Sequence, residues 1–348
     1  MTTTPASDRE FQALLKLSAA LGADPLRTQA AGGNTSIKRD GVMWIKASGT
    51  WLADALSQDI MTPVRIEPLR QAIAEDDPRA AAATDFIEAA LAPRGLRPSI
   101  ETSVHAVIPW PVVVHIHCVN TIAFAVRLDA ETLVFERLRP HPGVAATFVP
   151  YFKPGLPLAK AILKQSTDRT NVLILANHGL VVAGETVAET ADRIALLCAA
   201  FSAPSRSAPP ADAEKLAAIA EGSDYRLPKD PAAHAVALDP TSLTIARRGS
   251  LYPDHVVFLG PGLNEGAIEN ARLRAPAGEV RPPLLLALPG LGVLIHRSAL
   301  GGADAMARCL ADVAARIPKG AAIRTLTQEE ERELLNWEAE TYRQSLGR

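Results

Sequence analysis

His115 and His117 stand one residue apart at the end of the apolar run 112–117. In a strand, alternate side chains leave the same face, so the two imidazoles would sit one above the other in a metal-chelating arrangement. A solvated or hydrogen-bonded pair is the competing reading of the same spacing. A third imidazole, His178, falls in Asn177-His178-Gly179 between the apolar runs 171–176 and 180–183, where a strand end beside a glycine can enter a cleft. Three imidazoles leave a divalent ion an open coordination position, the catalytic rather than the structural arrangement. Such an ion acts as a Lewis acid on a carbonyl or enolate oxygen. Glu101 would then be the acid or base beside it. The alternative is a core His178, a solvent-facing pair and an ordinary helix-cap Glu101.

The flanking elements must position these groups. Residues 102–108 read as a short helix stopped by Pro109 and Pro111, with Glu101 and His105 four apart on one face. At that spacing the carboxylate and imidazole can bond each other or point together into a site. Upstream, residues 11–21 form an opening helix bounded by Pro25, followed by Gly32-Gly33-Asn34-Thr35-Ser36. Strands at 35–38 and 42–46 are joined through Asp40-Gly41, a hairpin signal. Asn34, Ser36, Ser48 and Thr50 offer neutral donors around the hairpin ends, where glycine-rich loops can cradle a phosphate or carboxylate. The same stretch also reads as a plain turn.

Further along, residues 80–92 are expected as a helix, 133–141 as a short strand and turn, 146–150 as a strand and 158–166 as a helix. A long helix over 187–201 closes the first unit. Ser/Ala/Pro-rich residues 202–212 are the best linker, dividing a domain over 1–205 from a smaller α/β domain over 213–348. In the second unit, 213–220 reads as helix, 244–248, 256–259 and 292–296 as strands, 302–317 as helix, and the charged tail 327–348 as helix. Ala176–Val182 can be laid over Ala287–Val293, with Pro289 in the place of His178, so the C-terminal unit reads as a degenerate partial repeat serving packing or oligomer contacts. Chance similarity of two common strand–loop–helix units is the alternative.

The segments GGNTS, ASGT, PSIETSVH, VVVHIH and LANHGLVVAG, in this order, resemble the class II aldolase and adducin N-terminal domain family, which includes fuculose-phosphate and rhamnulose-phosphate aldolases. The resemblance covers about residues 11–201. It implies an αβα layered domain around a largely antiparallel sheet, and a lyase of carbohydrate metabolism that cleaves a C–C bond in a small, phosphorylated sugar-like substrate or hydroxy acid through a metal-stabilised enediolate. It implies that His115, His117 and His178 hold a divalent metal, usually Zn2+, that Glu101 is the catalytic acid/base, and that Asn34, Ser48, Gly49 and Ser99 line the substrate phosphate pocket. Assembly as a homo-oligomer, a tetramer in this family, is implied as well.

Two positions depart from the pattern. Ile100 replaces a second hydroxyl residue before the catalytic glutamate, and no tyrosine proton donor can be placed, although Tyr151 and Tyr342 are available. Decarboxylases, epimerases and the non-catalytic adducins share the frame. Composition narrows the setting: a net charge of −2 provides no field for nucleic acid or acidic membrane, and no apolar stretch has membrane-spanning length. Three distant cysteines in apolar sequence and an N-terminus without a signal-peptide pattern predict a cytoplasmic protein. Neither Gly260-Pro261-Gly262 nor the 288–296 stretch has the Gly-x-Gly-x-x-Gly turn of a dinucleotide site.

Overall fold

The computed structural model describes residues 8–93, 95–267, 273–274 and 280–336. Helix α1 (Arg9–Ala23), capped by the Asp8 carboxylate on Glu10 N, leads to strands β1 (Asn34–Arg39), β2 (Val42–Lys46) and β3 (Met61–Arg65). Then come α2 (Ile66–Ala74), α3 (Thr102–Val107), β4 (Val112–Ile116), α4 (Val119–Ala125), α5 (Ala130–Leu138) and β5 (Ala146–Val149). Helix α6 (Leu156–Gln165), strands β6 (Val172–Leu175) and β7 (Gly179–Gly184), and α7 (Val187–Ala200) complete the first unit. The seven strands form one mixed sheet, ordered β3-β2-β1-β4-β7-β6-β5, whose only parallel pair is β5–β6.

Strand alternation sorts the sheet into two faces. On one face Ile37, Val112, Val114, Ile116, Leu180 and Val182 pack with α1 and α7. On the other, Val113, Val181, Ala183, Met43 and Ile45 meet α2, α3 and α6. The result is an αβα sandwich. By the same parity Asn34 and Ser36 of β1 and His115 of β4 face α3, so the polar residues gather at one end of that layer.

Several expected elements take another form. Residues 80–92 hold only short 3-10 turns, because Ala83 sits at φ 56° and Ile87 bridges to Val64 beside β3. The expected strand over 133–141 lies largely within α5, where Ala130, Val134 and Leu138 recur every four residues as its buried stripe. The stretch 59–74, without a clear signal in sequence, contains β3 and α2.

The C-terminal region contains α8 (Ala213–Ala220), β8 (Tyr225–Arg226), α9 (Ala235–Leu238), α10 (Pro240–Ala246) and α11 (Pro253–Leu259). After these come β9 (Asn264–Glu265), β10 (Leu273–Arg274), β11 (Val280–Arg281), β12 (Leu285–Leu288), β13 (Gly292–His296), α12 (Ala303–Arg316) and α13 (Gln328–Leu335). The strands expected at 244–248 and 256–259 are helical: each segment follows a proline at N1, and Asp239 caps α10 through Thr241 N and Ser242 N. The order β8-β13-β12-β9 repeats the order and strand senses of β4-β7-β6-β5, including the single parallel pair. Hairpin register corrects the alignment drawn from sequence, since Leu175↔Gly179 and Leu288↔Gly292 bracket the two turns and place Leu291, not Pro289, opposite His178.

The two regions share a core. Val119, Ile122 and Val126 from around α4 pack with Val257, Phe258, Leu310 and Val313 of α11 and α12. Asn177, left-handed at φ 52°, donates from Nδ2 to the Leu251 and Arg324 carbonyls, each at 2.9 Å, and so ties the His178 turn to the C-terminal region. Among the described residues no helix is long and apolar enough to cross a membrane.

Candidate metal centre

His115 lies next to the end of β4 on the α3 face, His117 follows the strand, and His178 is the last residue of the β6–β7 turn. All three are buried. Their ligand atoms lie within 4.8 Å of one another. His115 Nε2 and His117 Nε2 are 3.1 Å apart. Glu101 joins them from the N-terminal cap position of α3, with Oε2 3.3 Å from His115 Nε2 and Oε1 3.6 Å from His178 Nε2.

The outer ring nitrogens determine which nitrogen is free to ligate. His115 Nδ1 is 3.1 Å from the Leu180 carbonyl oxygen, which only accepts, so the proton lies on Nδ1 and the Nε2 lone pair faces the cluster. Burial lowers the His115 pKa, and burial together with the neighbouring imidazoles holds His178 down to about 3, so both rings are neutral near pH 7. For Glu101, burial opposes ionisation, but His115, His178, His117 and the Asn34 amide outweigh it and hold the carboxyl down to about 2. Neutral imidazoles beside an ionised carboxylate are the donor states a divalent cation requires. Glu101 Oε1 is buried without a hydrogen bond among the described residues, as an oxygen awaiting a cation would be. The set fits a divalent metal.

Close packing excludes larger residues around the imidazoles. A Cβ on Gly179 would lie 2.6 Å from the Ile116 carbonyl and 3.2 Å from His115 Cε1, so only glycine lets β7 pass this close to β4.

The cavity beside the cluster is lined by Asn34, Ser48, Gly49, Ser99, Glu101, His117 and His178, bringing together the residues singled out from sequence. Asn34 Nδ2 donates to Ser99 Oγ at 3.1 Å and to Glu101 Oε2 at 3.0 Å, so it positions the Glu101 carboxylate as well as lining the pocket. Ser48 Oγ is buried with no hydrogen-bond partner among the described residues. Other candidates turn elsewhere. Ser36 Oγ bonds His105 Nδ1 at 2.7 Å, drawing His105 away from Glu101, and Thr50 Oγ1 donates to the Ala47 carbonyl. Tyr151 packs against Val256, Leu326 and Leu334 and does not line the cavity. Tyr342 lies outside the described residues. Cys118 faces the opposite side of the sheet, within the core that holds Cys198.

Two lining residues had no sequence signal as site residues. Lys46, at the end of β2, is 2% exposed and donates from Nζ to the Ala31 carbonyl at 2.8 Å. Asp254, in the first turn of α11, brings a carboxylate from the C-terminal region to 3.1 Å from His117 Nδ1. Only the polar position of Lys46 in an otherwise apolar strand, and the Asp254-His255 pair after a helix-starting proline, hinted at either.

The profile of the Class II Aldolase and Adducin N-terminal domain family matches residues 12–203. The chain belongs to this family. Among curated proteins, it is similar to a Bacillus subtilis (strain 168) protein named Uncharacterized oxidoreductase YuxG, at 28% identity over 178 residues. That match covers 48% of this chain and 25% of the relative, so the chain spans about a quarter of that relative's length. Among solved structures it is similar to the N-terminal class II aldolase domain of a conserved protein from Thermoplasma acidophilum, at 24% identity and TM-score 0.48, covering 56% of this chain and 92% of that one. The sugar-phosphate aldolase from Thermotoga maritima is 19% identical with TM-score 0.43, covering 55% and 92%. The L-fuculose-1-phosphate aldolase from Thermus thermophilus is 19% identical with TM-score 0.36, covering 56% and 92%.

Proposed function

We propose that this class II aldolase family member is a metal-dependent lyase that cleaves, or in reverse forms, a carbon–carbon bond next to a carbonyl in a small hydroxylated, phosphorylated substrate. The observation that carries the reading is the convergence of His115, His117 and His178 with Glu101 between them, all buried. A divalent ion, Zn2+ by its preference for nitrogen ligands, would be held by the three imidazoles and would supply Lewis-acid stabilisation of negative charge developing beside the carbonyl. Glu101, held ionised and oriented by Asn34, removes and returns the proton at the reacting carbon or hydroxyl. Ser48, Ser99 and Gly49 receive the distal anion, with the Ser48 hydroxyl oriented by the ligand alone. Burial of the cluster keeps water from competing for these groups.

The C-terminal region, with its matching strand order and senses, fits a degenerate copy of part of the metal domain in which Leu291 takes the place of His178. We assign the chain, by family resemblance, to a homo-oligomer of tetrameric type. The test is product analysis on purified protein, stripped by chelation and reloaded with Zn2+, against a panel of phosphorylated ketoses and hydroxy acids. Aldehyde release that disappears on stripping and returns on reloading supports the lyase. Metal-dependent CO2 release or stereochemical inversion without cleavage would assign the site to a decarboxylase or epimerase instead. Full turnover by metal-free protein would sink the reading.

A further inference from the structure

We infer that Asp254 is a positioning residue of the metal centre and that, through it, the C-terminal region sets the affinity of the site for its cation. The inference rests on the metal-binding reading above. It begins with the geometry of His117, whose Nε2 points at His115 Nε2 across 3.1 Å while its Nδ1 lies 3.1 Å from Asp254 Oδ2. An imidazole carries its two nitrogens on either side of Cε1, so a group close to Nδ1 stands outside the point where the Nε2 atoms converge. Asp254 Oδ2 makes a close charge contact there, and a carboxylate on that side of the ring favours the tautomer with the proton on Nδ1. A proton fixed on Nδ1 leaves the Nε2 lone pair for the cation, and the carboxylate charge makes that lone pair more basic.

His115 Nδ1 faces a neutral oxygen, the Leu180 carbonyl of its own domain, and bonds it. His117 Nδ1 faces an ionisable group instead, and that group comes from about 140 residues downstream, on α11. The approach is closely built. A Cβ on Gly32 would fall 2.8 Å from both Asp254 Oδ2 and His117 Nδ1, and a Cβ on Gly302, at the start of α12, would fall 2.7 Å from Ala30 Cβ. The packing thus brings α11, the Gly32 loop and His117 together at a distance only glycine permits. Asp254 is buried, so solvent does not screen its interaction with His117. Asn177, bonded to the Leu251 and Arg324 carbonyls, gives His178 a second link to the same region. Two of the three ligating side chains are thus braced by residues outside the family-matched stretch 12–203.

The experiment uses the full chain as wild type, Asp254→Asn, Asp254→Ala and His117→Ala. Zn2+ affinity is measured by competition with a chromophoric chelator, the visible spectrum of the Co2+-substituted forms reports ligand geometry, and thermal unfolding of the metal-free forms controls for folding. Asp254→Ala is expected to weaken Zn2+ binding about 10- to 100-fold, with altered Co2+ bands and a metal-free protein that still unfolds cooperatively. Asp254→Asn, which keeps an acceptor oxygen but loses the charge, should fall between Ala and wild type. Wild-type affinity in the folded Asn variant, or affinity within twofold of wild type in the Ala variant, overturns the assignment if His117→Ala is weakened. If wild type and His117→Ala bind Zn2+ equally poorly, the metal reading fails instead.

Discussion

Asn34 and His115 are direct cross-strand partners in β1 and β4, and the Asn34 amide bonds the carboxylate that approaches the His115 ring. Strand register thus sets the distance between a metal-ligand candidate and the proposed acid/base. Asn34→Ala removes a donor from a buried carboxylate, a loss of about 1.5–3 kcal/mol when the acceptor is charged. The Glu101 carboxyl should then titrate at higher pH. Because its folded pKa lies below the unfolded one, its stabilisation is complete above the ordinary value of about 4.3 and is lost as pH falls toward about 2. In the variant that loss should be smaller and end at higher pH, while the acid limb of the rate profile moves to higher pH. Unchanged acid limbs in both urea unfolding and turnover would contradict this role.

Gly179→Ala should damage the centre without touching a polar atom. The added methyl would meet the Ile116 carbonyl at 2.6 Å, His115 Cε1 at 3.2 Å and His117 Cδ2 at 3.3 Å, so β7 must move away from β4 and spread the imidazoles. Bound metal after dialysis, measured by atomic emission, should fall well below that of the wild type while far-UV circular dichroism keeps its shape. Full metal content in the variant would show that the hairpin can yield.

The site is largely legible in sequence because its residues sit at signals that survive without a fold. His-x-His at a strand end, Asn-His-Gly in a hairpin turn and a glutamate at a helix start each fix a direction through local geometry. Asp254 is not legible because it reaches His117 only through the packing of α11 on α12 and α4, and no local pattern reports such a contact. Helix α5 replaces an expected strand because its Leu-Val-Phe core looks β-prone, whereas the four-residue spacing of Ala130, Val134 and Leu138 decides its burial. Helices α10 and α11 differ from expectation for a related reason: their β-branched and aromatic residues suggest strands, but the Pro at N1 starts each as a helix. In the first unit, the opening hairpin and β4, β6 and β7 are readable because strict alternation or continuous apolar runs leave few competing forms.

Ser48 offers a test of the proposed anion pocket apart from the proposed metal site. Its hydroxyl is buried without a hydrogen bond among the described residues, and it lines the same cavity as Ser99 and Glu101. In Ser48→Ala the cavity loses a donor that only a ligand would use, so inhibition by inorganic phosphate should weaken by roughly 5- to 10-fold, equivalent to about 1 kcal/mol. Bound Zn2+ should be unchanged. Equal inhibition constants in the two proteins would remove Ser48 from the anion site.

Acid should weaken the fold through histidines that hold no metal. His255 is buried, donates from Nε2 to the Gly262 carbonyl at 2.8 Å and accepts Leu251 N at Nδ1, so the neutral ring satisfies both nitrogens. Burial, partly offset by the Gly262 carbonyl, holds its pKa down to about 4, and burial with the nearby His115 holds His105 down to about 3. Both folded values lie below the ordinary value of about 6.5, so the unfolded chain takes up protons first as pH falls. Stability is therefore complete above about pH 6.5 and declines as pH falls from there toward the folded values, with each ring contributing roughly 2 kcal/mol of loss by pH 5. His255→Gln keeps a donor for Gly262 but cannot titrate. Comparing urea unfolding at pH 7.5 and 5.0, the variant should be less stable than wild type at the higher pH yet lose about 2 kcal/mol less between the two. An equal loss in both proteins would show that His255 does not carry the pH dependence assigned to it.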